Sequence, residues 1–212
     1  MTLRGVAWGL AVASLSQGSL AATQRYALDP ARTQASVEAD AGLSMVEGQL
    51  ARSTGEVLLD REAGQGQVAV CLPADSLDFG LSMLNDLARG PMAFEAARFP
   101  EICYQGRLVD FIGGVPGAVE GELQMHGVTR PLRLAIQSFR CGPDDTLQRE
   151  ACSASAVGKL QRDEFGIDIG KDLGLRMAVT LQVRIVAVAV PADMAPEVMP
   201  PPTGPSADGV PE

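Results

Sequence analysis

The chain has 212 residues, 46% of them hydrophobic, 4% aromatic and 20% charged, which suits one domain with a substantial core. Its net charge of −9 repels phosphate backbones and speaks against nucleic-acid binding. A single histidine, His126, excludes every site built on two imidazoles.

In chain order, residues 1–21 carry Arg4 and then an uncharged, mostly apolar run ending in Ser19-Leu20-Ala21. That is the layout of a cleavable secretory signal peptide. Gly9, Ser14, Ser16, Gln17 and Gly18 break the run well short of the ~20 apolar residues that a membrane span needs. The mature chain is therefore expected in the periplasm.

The folded domain is expected over 22–190, where the dominant period is two. Weak alternations mark Val57–Leu59, Val68–Leu72, Ile102–Leu108 and Ala154–Leu160, with Gly or Pro in the gaps. One window reads as helix, Ser82 to Arg89, with Leu81, Leu84 and Leu87 or Ala88 at helical spacing and Gly90-Pro91 as a stop.

The alternation then strengthens. Val119, Leu123 and Met125 oppose Glu120, Glu122 and Gln124, and beyond a turn over His126–Pro131 the residues Leu132, Leu134 and Ile136 oppose Arg133 and Gln137, which predicts a hairpin. From Leu175 to Ala187 every second residue is apolar, a strand with one dry and one wet face. Many short strands and one helical interruption predict a sandwich or a closed barrel. The last segment, 191–212, holds seven of the 14 prolines, four acids and no base, and reads as a disordered, extended, acidic tail.

An exported chain meets an oxidising environment, and its four cysteines are an even number with no C-x-x-C spacing. Cys141 and Cys152 flank the turn signal Gly142-Pro143-Asp144-Asp145, so they are expected to face each other across a hairpin or loop. Cys71 lies opposite the Val68-Val70-Leu72 face and Cys103 opposite the Ile102-Tyr104 face. Both point away from the core, which is compatible with a second bridge between neighbouring strands and otherwise follows by elimination.

No catalytic residue is expected. There is no G-x-S-x-G elbow, and His126 stands at a hairpin turn, where a structural role is commoner. The acidic group Asp163, Glu164, Asp168 and Asp172 lacks an EF-hand order of ligands and has Arg162 and Lys171 within it, so solvated loop charge is expected rather than a metal. No phosphate-cradling glycine motif is present, and no cofactor is expected.

Several segments in order resemble a known family. Tyr26-Ala-Leu-Asp-Pro30 opens the domain, followed by Gly42-Leu-Ser-Met-Val-Glu-Gly48, Gly55-Glu-Val-Leu-Leu-Asp60 and Leu72-Pro-Ala-Asp-Ser-Leu77. Phe99-Pro100, Gly121-Glu-Leu-Gln-Met-His-Gly-Val-Thr-Arg-Pro131 and Arg162-Asp-Glu-Phe-Gly166 complete the series. From Tyr26 to about Ala189 the chain resembles the YceI-like family of exported polyisoprenoid-binding proteins. The resemblance implies a lipocalin-like antiparallel β-barrel of about eight strands with a short helix, a long-chain isoprenoid or similar lipid inside it, and no enzymatic step. Cys141 and Cys152 also look like a pair found in one branch of that family.

Physics is compatible with that implication. A barrel of about eight strands leaves an interior that side chains fill or that holds one slim ligand. A tail of roughly forty carbons at ~0.8 kcal/mol per CH₂ exceeds the ~18–21 kcal/mol ceiling of non-covalent binding, so the competitor is a bilayer rather than water and transient membrane contact is expected. Alternation nominates Val46, Val70, Leu123, Met125, Leu134, Met177, Val179 and Leu181 as the lining, with Phe94, Phe99 and Phe165 closing one end. Plain core packing is as good an account of each. For Arg162 two roles are open, a polar head group met near the mouth and a surface ion pair with a neighbouring acid, and the ion pair is the expected one. The alternative function is a periplasmic structural or interaction protein with a self-filled barrel and a contact tail. Whether the chain acts alone or as a homodimer stays open.

Overall fold

The computed structural model describes residues 23–191. The expected signal peptide, 1–21, and the expected tail, 191–212 apart from Pro191, lie outside the described residues.

Among the described residues, ten strands and one α-helix follow one another: β1 (Gln24–Leu28), β2 (Gln34–Asp40), β3 (Met45–Leu50), β4 (Thr54–Asp60), β5 (Gln65–Pro73), α1 (Ser82–Arg89), β6 (Glu101–Val109), β7 (Ala118–Met125), β8 (Val128–Asp144), β9 (Arg149–Gln161) and β10 (Ala178–Ala189). All pairings are antiparallel, and β1, β4, β5, β6, β7, β8, β9 and β10 form a ring that closes where Tyr26 pairs Ala189 and Leu28 pairs Ala187. The fold is thus mainly β, a closed eight-stranded barrel: of the sandwich and the barrel that the alternation allows it is the barrel, as the resemblance implies. β2 continues the place of β1 along the N-terminal half of β10, pairing Val37 with Leu181, and β3 extends beside β2.

Each strand turns one set of alternate residues inward. On β7 these are Val119, Leu123 and Met125, all buried, while Glu120, Glu122 and Gln124 are exposed. The β7–β8 turn is tighter than the sequence suggests. Met125 pairs Val128 directly, so only His126 and Gly127 turn the chain, both with positive φ (53° and 74°) as a type I′ hairpin requires. On β8 the inward set shifts phase at a bulge: Ile136 pairs Ala156 while Ser138 pairs Ser155, leaving Gln137 as the extra residue. Leu132 and Leu134 are buried before it and Phe139 turns inward after it. The facing glycines Gly106 and Gly121 pair across β6 and β7, and a side chain at 121 would collide with the Gln105 carbonyl. The Tyr104 hydroxyl reaches past that gap and donates to Leu132 O at 2.9 Å.

Both cysteine pairings occur. Cys71 stands directly opposite Cys103 across β5 and β6, and Cys141 opposite Cys152 across β8 and β9, each pair disulfide-bonded. The first bridge lies on the face opposite Val70 and Tyr104, hence outside. The second packs inward with Tyr26, Leu59 and Ala187 and plugs one end of the barrel. Tyr26 is 2% exposed and donates its hydroxyl to Glu150 at 3.2 Å. Pro143 does not turn the chain: it pairs Glu150 within the β8–β9 ladder.

Candidate functional site

The two ends of the barrel differ. At the plugged end Arg61 pairs Glu150 and Arg32 pairs Asp144. At the other end the β2–β3 and β9–β10 loops and α1 surround a mouth. The interior between them is not solid.

Its inner part borders a run of small residues on β9. Ala154 faces Ile185, Ala156 faces Val183 and Gly158 faces Leu181, so one wall carries almost no side chain. Val70 and Leu123 line this part from other strands, and Leu134 on the adjacent β8 lies so close over Gly158 that any side chain there would overlap it. The result is a cavity of about 150 Å³ whose lining is apolar except for Tyr26, Tyr104 and Ser153. The Tyr104 hydroxyl is pushed up to about 12, first by burial and then by Glu120, and so stays a neutral donor to Leu132 O.

A second cavity of about 260 Å³ lies between the barrel and α1. It is walled by Val46, Leu84, Leu87, Ile167, Leu175 and Val179, and it shares Val37, Phe94, Met125 and Leu160 with the first. The two cavities therefore adjoin, one toward the mouth and one toward the plug, with these four residues between them. No residue of α1 is buried, and polar anchors hold the helix in place: Arg89 donates to Leu77 O at 2.7 Å and Asn85 to Asp78 at 2.8 Å. Around this mouth Leu43, Met83 and Leu173 are exposed at 104%, 77% and 85%.

Polar groups at the mouth are few. Asp40 accepts from Gly42 N at 2.9 Å and from Arg176 N and Nε at 3.1 Å. The Gly42 N–H, then Arg176, lowers its carboxyl to about 2. A folded value below the ordinary one means that this contribution to stability is complete above pH ~4 and is lost as pH falls through ~2. Denaturant midpoints measured between pH 5 and 2 are expected to fall in that window, and Asp40→Asn should remove part of the fall.

Arg162 corrects the sequence-based expectation of a surface ion pair. It is 9% exposed, forms no ion pair with an acid, and donates from Nη1 to Ile167 O at 3.1 Å and from Nη2 to Ile169 O at 2.7 Å. Asp163 pairs instead with Lys171 at 2.7 Å. His126 donates from Nδ1 to Phe165 O at 2.8 Å and meets the Phe99 ring edge-on at 4.8 Å, tying the hairpin to the segment after β9. Its Nε2 lies 3.8 Å from Glu95. Cys141, Glu150 and Cys152 are the one cluster of three potential metal ligands among the described residues, and the disulfide leaves no thiolate there.

Of the nominated lining, Val70, Leu123, Leu134 and Leu181 wall the inner cavity, Val46 and Val179 the outer, and Phe94 and Met125 both. Phe99, Phe165 and Met177 wall neither. Phe165, 1% exposed, belongs to the solid core behind the mouth. Alternation missed Val37, Ala154 and Ala156, because a hydrophobicity pattern marks large residues and the space here is made by small ones.

A family model described as a YceI-like domain matches residues 26–187. The fold is similar to that of BcnA from Burkholderia cenocepacia, at 19% identity and a TM-score of 0.61, covering 75% of this chain and 98% of that one. A YceI protein from Campylobacter jejuni gives 17%, 0.60, and 70% and 87%. A polyisoprenoid-binding domain from Saccharophagus degradans, implicated in plant cell wall breakdown, gives 16%, 0.54, and 78% and 98%. At these identities the likeness to the solved structures is one of fold. No curated protein matches the chain.

Proposed function

Because this chain belongs to the YceI-like family, we propose that it is an exported, non-enzymatic carrier that holds one slim long-chain lipid, a polyisoprenoid or a similar chain, inside its barrel. The observation that carries this reading is the pair of adjoining apolar cavities between mouth and plug. One structural neighbour, the Saccharophagus domain, is described as polyisoprenoid-binding. Two disulfides fit an oxidising compartment, and with the N-terminal segment they support the periplasm.

Size narrows the cargo. The two cavities, about 150 and 260 Å³, each fall below the ~300–1,000 Å³ of ligand pockets and only together reach its lower end. A single chain of moderate length fits the resting interior, and a tail of roughly forty carbons requires the walls to spread. The deformable thioether of Met125, between the compartments, favours such yielding. The exposed Leu43, Met83 and Leu173 beside the mouth suit a transient membrane contact during loading.

Organic extraction and mass spectrometry of protein purified from the periplasm should return a long-chain lipid at near one per barrel. Delipidated protein should then take up radiolabelled polyprenol from vesicles. An empty extract together with no uptake overturns the proposal.

A further inference from the structure

We infer, on the reading that the barrel carries a lipid, that Arg162 recognises the head group, and that the cargo is an amphiphile whose anionic head, carboxylate or phosphate, sits against this guanidinium while its chain fills the barrel. Arg162 follows β9 directly, opening the short 3₁₀ turn Arg162–Phe165, and forms part of the wall of the outer compartment. A charge taken out of water is costly unless a counter-charge accompanies it. Two backbone carbonyls accept from Arg162, yet no carboxylate oxygen of the described residues lies within 4.0 Å of it. Carbonyls satisfy donors but carry no counter-charge, and Asp163, Asp168 and Asp40 act on the guanidinium only through space, without a direct ion pair.

The nearby acids do not fill that role. Asp40, in the same compartment, is held by the Gly42 amide and by Arg176, and Asp163 by Lys171. Asp168 is exposed to solvent. Burial, the largest influence, draws the guanidinium below its ordinary pKa, in keeping with a desolvated cation. A guanidinium has five N–H donors in a fixed fork, so N–H groups remain for a ligand oxygen. An anion there would gain charge-assisted hydrogen bonds that a neutral hydroxyl or ester cannot match. The position also sets polarity: the head stays at the mouth, and the chain runs past Met125 and Leu160 toward the Tyr26 plug.

The test compares matched probes on the delipidated protein at pH 8. Fluorescent parinaric acid is set against its methyl ester, and farnesyl phosphate against farnesol in competition. The charged member of at least one pair should bind about tenfold or more tightly than its neutral partner, and the pair that shows the preference names the anion. Arg162→Gln should bring the ratio toward one, and Arg162→Lys should retain part of it. If Arg162→Gln fails to fold, the ratios of the parent and of Arg162→Lys decide. Equal affinity within both pairs in the parent overturns head-group recognition and leaves the carrier reading standing. Failure of all four probes to bind overturns the carrier reading and this inference with it.

Discussion

Replacing both Ala154 and Ala156 with leucine is expected to reduce lipid uptake by at least about tenfold while the barrel still closes. Both side chains point inward from β9 onto the inner cavity, opposite Ile185 and Val183. Each leucine adds three carbons to a space of about 150 Å³, so together they occupy much of the volume that a chain would use. The backbone ladder is untouched, and because the added atoms enter a void the overpacking cost should sit near the low end of the usual ~1–3 kcal/mol. Ala135→Leu is the control, since Ala135 is exposed on β8, and it should bind as the parent does. Vesicle uptake of labelled lipid and circular dichroism read the two effects separately. A folded double variant with undiminished uptake would place the cargo elsewhere.

The largest stability effects should come from the bridges. Cys71 and Cys103 are 32 residues apart and Cys141 and Cys152 are 11 apart. Loop-closure entropy assigns roughly 3–4 kcal/mol to the first and roughly 3 kcal/mol to the second. On loop entropy alone, Cys71→Ala with Cys103→Ala should therefore lower unfolding free energy only slightly more than loss of the Cys141–Cys152 bridge, because the dependence on loop length is logarithmic. Losing Cys141–Cys152 adds a local cost, since that pair also packs against Tyr26 at the plug. Urea titrations of each double variant measure this. An unchanged midpoint on full reduction of the parent would show that the ladders alone carry the fold.

Much of this was legible in the residues. The helix Ser82–Arg89 and the strands of the Val119–Ile136 hairpin and of β10 follow from spacing, since large apolar residues recur on one face and mostly polar ones on the other. β2 and β3 were not legible in this way. Their inward positions include Ala35, Ala39 and Gly48, so the pattern has little amplitude, and Gly48 is small because Phe79 and Leu77 pack where its side chain would stand. Arg162 shows the same limit in charge: its flanking acids suggested a surface pair, and chain geometry buried the arginine and paired Asp163 with Lys171 instead.

By itself the sequence settled the β class, the inward face of the long strands and the partners available to four cysteines, because alternation and parity are local properties of a chain. Only the tertiary structure decided that the ring closes, that its interior stays partly empty, and that a cation lines that emptiness. Those facts depend on which distant residues share a space, and small side chains facing large ones across a barrel leave no mark along a single strand.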